Sequence, residues 1–129
     1  FDLDYFKQIN DRYGNVIGDK TLIEACRILS RELRESDMLA RYGGDEFAIL
    51  CVDSDAQDAA QLGERLRSVV EEFYVEHHIL TDGLTISVGV AELSMSDDLT
   101  TFFKRVDDAL YSAKEKGRNN VQVDMLELE

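Results

Sequence analysis

The residues of this chain best suited to chemistry are two adjacent carboxylates, Asp45 and Glu46, which directly follow Gly43 and Gly44. The residues on both sides of this segment have the apolar pattern of β-strands. A Gly-Gly pair between two strands predicts a tight hairpin, because glycine readily adopts the positive φ angles that such a turn needs. Adjacent acids on a rigid turn repel each other unless a cation lies between them. We therefore expect a metal ion at this hairpin.

A second acidic segment, Asp2-Leu3-Asp4, lies far from the hairpin in sequence and follows the pattern of a strand end. A right-handed crossover would make this strand parallel to the first hairpin strand, with the second hairpin strand between them. Asp2 would then lie beside Asp45 and Glu46. Carboxylates that converge from two backbone segments are what metal-dependent nucleotidyl transfer requires.

The elements that must position these acids can be predicted from hydrophobic periodicity. Helical spacing of apolar residues occurs at about 5–13, after Asp19, after Asp55 and at about 99–116. Asp19 and Asp55 are suitable N-caps for their helices, and Gly117 is a suitable C-terminal stop for the last one.

Strands are expected between the helices. The hairpin strands lie at about 38–42 and 46–52, and residues 121–123 form a final strand. Alternation of small polar and branched apolar residues predicts a half-buried strand over 84–93. The last helix is expected to direct four apolar residues inward, namely Phe103, Val106, Leu110 and Ala113.

Composition limits the class of protein. A chain of 129 residues, 44% of them hydrophobic and 32% charged, is typical of one globular domain. The net charge of −13 repels nucleic acids and anionic membranes, so we expect neither as a partner. Cys26 and Cys51 lie on apolar faces and are predicted to be buried free thiols, which fits the cytoplasm. His77 and His78 are expected at the surface.

Four segments of the chain together resemble the GGDEF domains of bacterial diguanylate cyclases. Residues 1–11 contain D-x-D-x-F-K-x-I-N-D, Gly18-Asp19 follows, residues 43–47 are the signature itself, and residues 107–119 end in A-K-x-x-G-R-N. The resemblance runs to about residue 123. It implies an α+β, ferredoxin-like palm of the nucleotidyl-cyclase type, whose central, mostly antiparallel sheet is flanked by helices and carries a catalytic hairpin.

The resemblance implies condensation of two GTP molecules into cyclic di-GMP, with release of pyrophosphate and with Mg²⁺ (or Mn²⁺) as cofactor. The implied site residues have separate roles. Asp2, Asp45 and the carbonyl of Leu3 resemble the metal ligands; Glu46, beside Asp45, resembles the residue most critical to turnover; Asn10 and Asp19 resemble the guanine-reading pair; and Lys7, Lys114 and Arg118 resemble the cations that bind the triphosphate.

Some of these residues have simpler explanations. Without the resemblance, Asp19 would be explained as a helix cap, and Lys114 and Arg118 as cations favoured near a helix C-terminus. Arg34 and Asp37 form an R-x-x-D pattern that would otherwise be a surface ion pair. At its offset from the hairpin it resembles the family's inhibitory product site, with an Arg fork gripping phosphate or guanine; Arg65 resembles an auxiliary arginine of that site.

The resemblance also raises expectations about the whole protein. Residues 1–129 are expected to be one GGDEF domain that is incomplete at its N-terminus, because the family's usual leading helix is missing. We expect a cytoplasmic domain, alone or as part of a membrane-anchored sensor, with a sensory domain upstream and a regulated or transient homodimer. Two alternatives stay open: a catalytically silent receptor for cyclic di-GMP or GTP, and a palm-like domain acting on another nucleotide.

Overall fold

The computed structural model describes residues 1–77 and 80–124. His78, one of the two predicted surface histidines, and the last five residues of the expected domain lie outside these ranges. Within them the chain forms nine elements in the order β1 Asp2–Leu3, α1 Phe6–Tyr13, α2 Asn15–Ser30, β2 Met38–Arg41, β3 Phe47–Leu50, α3 Ala56–His77, β4 Ile86–Val90, α4 Leu99–Glu115 and β5 Val121–Val123.

The strands form one mixed, mostly antiparallel sheet. β4 pairs antiparallel with β1 and parallel with β5, while β2 and β3 pair antiparallel as the predicted hairpin. A bridge between Asp2 and Glu46 joins the two parts, and the Phe47 amide donates to the Phe1 carbonyl at 2.9 Å. The order is therefore β2-β3-β1-β4-β5. The prediction that the second hairpin strand lies between β1 and β2 is confirmed.

Alternation along β1 separates the core from the polar face of the sheet. Phe1 and Leu3 are buried in a core that α1, α2 and α3 cover on one face of the sheet. Asp2 and Asp4 belong to the opposite face, where α4 packs. The two acids of the D-x-D segment are therefore held at the same side of the sheet because strand residues repeat every second position.

The strand predicted to be half-buried is buried on both faces, so that prediction is wrong. On one face Val88 packs near Gly63 of α3. On the other, Ser87 is fully buried and Gly89 lies directly under α4, where an added Cβ would come within 2.8 Å of the Leu110 Cα. Small residues on that face permit close approach of the helix, which the alternation pattern alone does not reveal.

The observed helix ends agree only in part with those predicted from the sequence. Asp55 caps α3, since its Oδ1 accepts from the Asp58 amide at 2.8 Å, and Gly117 follows α4 with φ +107°. Asp19 is not an N-cap, because α2 already begins at Asn15. Its prediction as a cap is wrong, and Gly14 holds that position instead.

The observed burial of three side chains differs from the predicted burial. Phe103 was expected to face inward but is 42% exposed, with its ring edge against Tyr42. Cys26 and Cys51 are free thiols, half-buried rather than fully buried, and burial raises the pKa of both. Among the described residues, no helix combines the length and apolar character that spanning a bilayer requires.

Candidate functional site

The tip of the β2–β3 hairpin is a wider turn than the glycine pair predicts. Neither Gly43 nor Gly44 has a left-handed φ, so the conformational reason given for them from sequence is wrong. The Tyr42 amide donates to the Glu46 carbonyl at 3.1 Å, and the chain reverses over the residues between them. Spreading the reversal over more residues removes the need for positive φ angles.

Packing explains Gly43 instead. A Cβ at this position would lie 3.1 Å from Oε2 of Glu46, so the glycine leaves room for the glutamate to fold over the turn. Arg41 braces the turn by donating from Nε and Nη2 to the Gly43 and Gly44 carbonyls at 2.7–3.1 Å. Sequence analysis missed this arginine; its only signal is its place two residues before the glycines.

A polar cleft of about 180 Å³ lies where β1, the hairpin tip, α1 and the end of α4 meet. It brings together six of the residues singled out in the sequence and four of their neighbours. The lining residues are Asp2, Leu3, Asp4, Tyr5, Phe6, Lys7, Gln8, Asp45, Lys114 and Arg118. Asp45 is brought to β1 by its backbone, since its carbonyl accepts from the Leu3 amide at 3.2 Å.

Asp2 is the most unusual side chain of this cleft. Only 3% of it is exposed, and Lys114 Nζ donates to its Oδ2. Its other oxygen, Oδ1, is buried and has no hydrogen-bond partner among the described residues. A buried carboxylate oxygen without a hydrogen-bond partner lowers the stability of the fold unless a ligand binds to it.

The donor set fits a small hard cation. Asp2 Oδ1, the Asp45 carboxylate and a backbone carbonyl are oxygen donors, which Mg²⁺ and Mn²⁺ prefer. The described part of the chain contains no group of three or more His, Cys, Asp or Glu side chains placed to hold a metal. A cation here would therefore take its remaining ligands from water and phosphate, as Mg²⁺ commonly does.

Asp4 was quoted in the sequence pattern but given no role. It is 4% exposed and accepts three hydrogen bonds, from Thr85 Oγ1 at 2.7 Å, Ser87 Oγ at 2.6 Å and the Asn119 amide at 3.0 Å. Asp4 thus ties β1 and the residues around β4 to the turn after α4. The signal in the sequence was the two-residue spacing from Asp2, which puts both acids on one face.

The three predicted phosphate-binding cations approach the cleft from two sides. Lys7 is exposed on α1, and Lys114 lies in the last turn of α4. Arg118 lies beyond the helix in a left-handed conformation, with its guanidinium 4.8 Å from the centre of the Tyr5 ring.

The two predicted guanine-reading residues lie apart from this lining. Asn10 is half-buried on α1 and Asp19 is exposed on α2. Asn10 packs directly on Gly18, where an added Cβ would come within 2.8 Å of the Asn10 Cγ. The α1–α2 pair therefore holds Asn10 in place through a glycine at the crossing. Neither residue lines the cleft beside Asp2.

A second cleft, of about 310 Å³, contains all three residues of the predicted inhibitory site. It is lined by Arg34, Asp37, Cys51, Ser54, Asp58, Ala59, Gln61, Leu62 and Arg65. Arg34 Nη2 donates to Ser54 Oγ at 2.8 Å and to the Val52 carbonyl at 3.2 Å, and pairs with Asp37 at 3.3 Å. Arg65 pairs with Glu32 at 3.4 Å.

The Asp37 carboxylate is held as an anion. Burial alone would raise its pKa, but hydrogen bonds from the Arg34 amide and guanidinium, with the charges of Arg34 and Arg65, lower the pKa below its usual value. Its side chain is only 1% exposed, whereas that of Arg34 is 58% exposed. The arginine is therefore fixed at one edge and accessible at the others.

Comparison with protein families identifies the chain. The family described as "Diguanylate cyclase, GGDEF domain" matches residues 1–120. The chain belongs to the GGDEF family. The hairpin tip with Asp45 and Glu46 is the segment from which the family takes its name.

Curated relatives include proteins named as diguanylate cyclases. Diguanylate cyclase A of Treponema denticola is 38% identical over 121 residues, which are 93% of this chain and 33% of that protein. Response regulator PleD of Caulobacter vibrioides is 40% identical over 123 residues, 93% of this chain and 27% of its own length. The GGDEF chain thus spans about a third or less of these relatives.

Solved GGDEF structures share the fold. The GGDEF domain of DgcB from Caulobacter crescentus, in complex with c-di-GMP, superposes with a TM-score of 0.86 at 30% identity, covering 95% of this chain and 74% of that one. The active GGEEF domain of a diguanylate cyclase from Vibrio cholerae gives 0.84 at 29% identity, covering 98% and 80%. The expected α+β fold with a mixed sheet flanked by helices is confirmed.

Proposed function

We propose that this GGDEF domain is a diguanylate cyclase that condenses two GTP molecules into cyclic di-GMP and releases pyrophosphate. The observation that carries the proposal is the buried Oδ1 of Asp2, which has no hydrogen-bond partner within residues 1–77 and 80–124 and shares one cleft with Asp45, Lys114 and Arg118. A buried carboxylate oxygen without a hydrogen-bond partner, next to cationic side chains, is better explained by a bound metal–triphosphate than by a site that binds nothing. The named relatives support the same activity.

The metal would be held by Asp2, Asp45 and the carbonyl of Leu3. Mg²⁺ or Mn²⁺, when bound, supplies charge that neutralises the phosphates and polarises the α-phosphorus. Lys7, Lys114 and Arg118 would bind the triphosphate, which a chain of net charge −13 would otherwise repel.

Glu46 would accept the proton of the ribose 3′-hydroxyl as that oxygen attacks the α-phosphorus of the second GTP. The glutamate folds over Gly43 at a tip braced by Arg41, so its carboxylate has a defined position before substrate arrives. Asn10 and Asp19 would recognise guanine, since an amide and a carboxylate complement its donor and acceptor edge.

Two domains would have to meet, because each would hold one GTP and each 3′-hydroxyl attacks the partner's nucleotide. We propose a transient homodimer, regulated by domains outside this chain. Product would bind at Arg34, Asp37 and Arg65 and inhibit turnover, which gives the second cleft its role. The Caulobacter crescentus GGDEF domain solved in complex with c-di-GMP supports product binding by this fold.

The test is mass-spectrometric detection of cyclic di-GMP after concentrated protein is incubated with GTP and Mg²⁺. Glu46→Gln is expected to lower turnover by about 10²–10⁴-fold, as loss of a general base does, while GTP binding persists. Glu72→Gln, an exposed acid on α3, is the matched control. ATP in place of GTP tests the guanine-reading role of Asn10 and Asp19.

Two outcomes would contradict the proposal. If wild-type protein forms no product but binds cyclic di-GMP, the domain is a receptor that acts through the second cleft. If product forms equally well in the Glu46→Gln variant, the hairpin is not the catalytic element.

A further inference from the structure

The turn that carries Arg118 has an uncommon backbone. Arg118 and Asn119 have φ angles of 64° and 49°, two consecutive left-handed residues that are not glycine. Such conformations persist only where the surroundings hold them. Here the Asn119 amide donates to Asp4 at 3.0 Å, and the Asn120 side chain donates to the Arg118 carbonyl at 2.9 Å. The main chain at Arg118 is therefore held by Asp4, which directly follows β1.

The guanidinium of Arg118 contacts Tyr5, the residue that follows Asp4 and immediately precedes α1. It lies 4.8 Å from the centre of the Tyr5 ring, within the range of a cation–π contact. Tyr5 is itself left-handed, with φ 57°, at the start of α1. Its side chain is 56% exposed and contributes little to the core. The position therefore directs an aromatic ring toward the cleft rather than into the protein.

We propose that Tyr5 is a positioning residue for Arg118: Asp4 fixes the turn, and the Tyr5 ring holds the guanidinium over the cleft in the pose that receives the triphosphate. The inference rests on the proposed function and adds to it a residue that touches the arginine. A free arginine side chain loses much rotational freedom when it binds an anion. Contact with the ring restricts that freedom beforehand, so binding of the triphosphate loses less entropy.

The matched pair of variants is Tyr5→Leu and Tyr5→Phe. Leucine removes the aromatic face, whereas phenylalanine keeps it, and neither is β-branched, so the left-handed backbone is equally strained in both. Binding of a non-hydrolysable GTP analogue with Mg²⁺ is measured by calorimetry. Tyr5→Leu should weaken binding by about two- to fivefold, the range of an exposed cation–π contact, and Tyr5→Phe by less than about twofold. Because Tyr5 is exposed, the unfolding midpoints should be alike.

A double-mutant cycle with Arg118→Ala separates positioning from direct contact. Tyr5→Leu should have no further effect in the Arg118→Ala background if it acts through the arginine. In steady state, Tyr5→Leu should raise KM for GTP and leave kcat near the wild-type value.

Three results would overturn the inference: unchanged affinity in Tyr5→Leu, equal losses in Tyr5→Leu and Tyr5→Phe, or an undiminished effect of Tyr5→Leu without Arg118. Failure of the proposed function looks different. In that case the wild-type protein itself would form no product, whether or not it binds the analogue.

Discussion

At the scale of single residues, the two acids of the D-x-D segment have divided their roles. One oxygen of Asp2 has no hydrogen-bond partner in the part of the chain that the structure describes, whereas both oxygens of Asp4 accept hydrogen bonds. Identical side chains two positions apart on one strand thus differ because of what lies opposite them. One is available for a ligand, and the other stabilises the site around it.

Asp4→Ala is expected to destabilise the domain by about 2–4 kcal/mol, because it leaves the Asn119 amide, the buried Ser87 hydroxyl and the partly buried Thr85 hydroxyl without their acceptor. Urea unfolding measures the difference in free energy. Asp11→Ala, at an exposed acid of α1, is the control and should change little. A loss of less than about 0.5 kcal/mol in Asp4→Ala would contradict the structural role assigned to this carboxylate.

The lowered pKa of Asp37 predicts that the stability of the domain depends on pH. Its folded pKa lies below the unfolded value, so its ionised form contributes stability above about pH 4, and that contribution is lost as the pH falls through the folded pKa. Asp37→Asn should therefore destabilise the domain at pH 7, with a difference from wild type that shrinks below about pH 4. Unfolding midpoints across pH measure it. A constant difference at every pH would contradict the argument.

At the scale of elements, the site depends on how closely α4 packs on β4. Lys114 and the turn with Arg118 are both placed by this helix, and the helix backbone lies directly against Gly89. A Cβ there would lie 2.6 Å from the Val106 carbonyl oxygen and 2.8 Å from the Leu110 Cα. These are backbone atoms, so the helix itself would have to move.

Gly89→Ala is expected to cost about 1–3 kcal/mol of stability, the range for overpacking, and to weaken GTP binding because Lys114 shifts with the helix. Chemical unfolding and calorimetry measure the two effects. The control is Ala91→Gly, just beyond the end of β4, which exchanges the same two residue types in the opposite direction. If Gly89→Ala lost stability but bound GTP as wild type does, the helix would not be what positions Lys114.

At the scale of the whole molecule, charge opposes the compact state. A net charge of −13 on a chain of 129 residues produces self-repulsion that salt screens. Raising NaCl from low concentration to about 0.3 M should increase Tm, because the shorter Debye length weakens repulsion between exposed acids. Glu72→Gln combined with Glu76→Gln should reduce that increase. A Tm that falls with salt would show that favourable ion pairs outweigh the repulsion.

Much of the fold follows from local patterns. The hairpin, the caps at Asp55 and Gly117, and the neighbouring positions of β1 and β3 were predictable, since each depends on short-range sequence or on crossover handedness. The half-buried strand and the inward Phe103 were wrong. Burial of a strand's second face depends on which helix packs there, and the alternation of residue types along the strand does not specify that helix.

The family, the order of elements and the acids and cations of the cleft can be derived from the amino-acid sequence, because motif spacing and periodicity are local properties of the chain. Three features become visible only in the folded chain: which acid lacks a partner among the described residues, why position 43 is a glycine, and that Arg41, Asp4 and Tyr5 contact the segments that form the site. These features depend on contacts between segments that are far apart in the sequence. Packing in three dimensions determines such contacts, and the spacing of residues along the chain does not specify them.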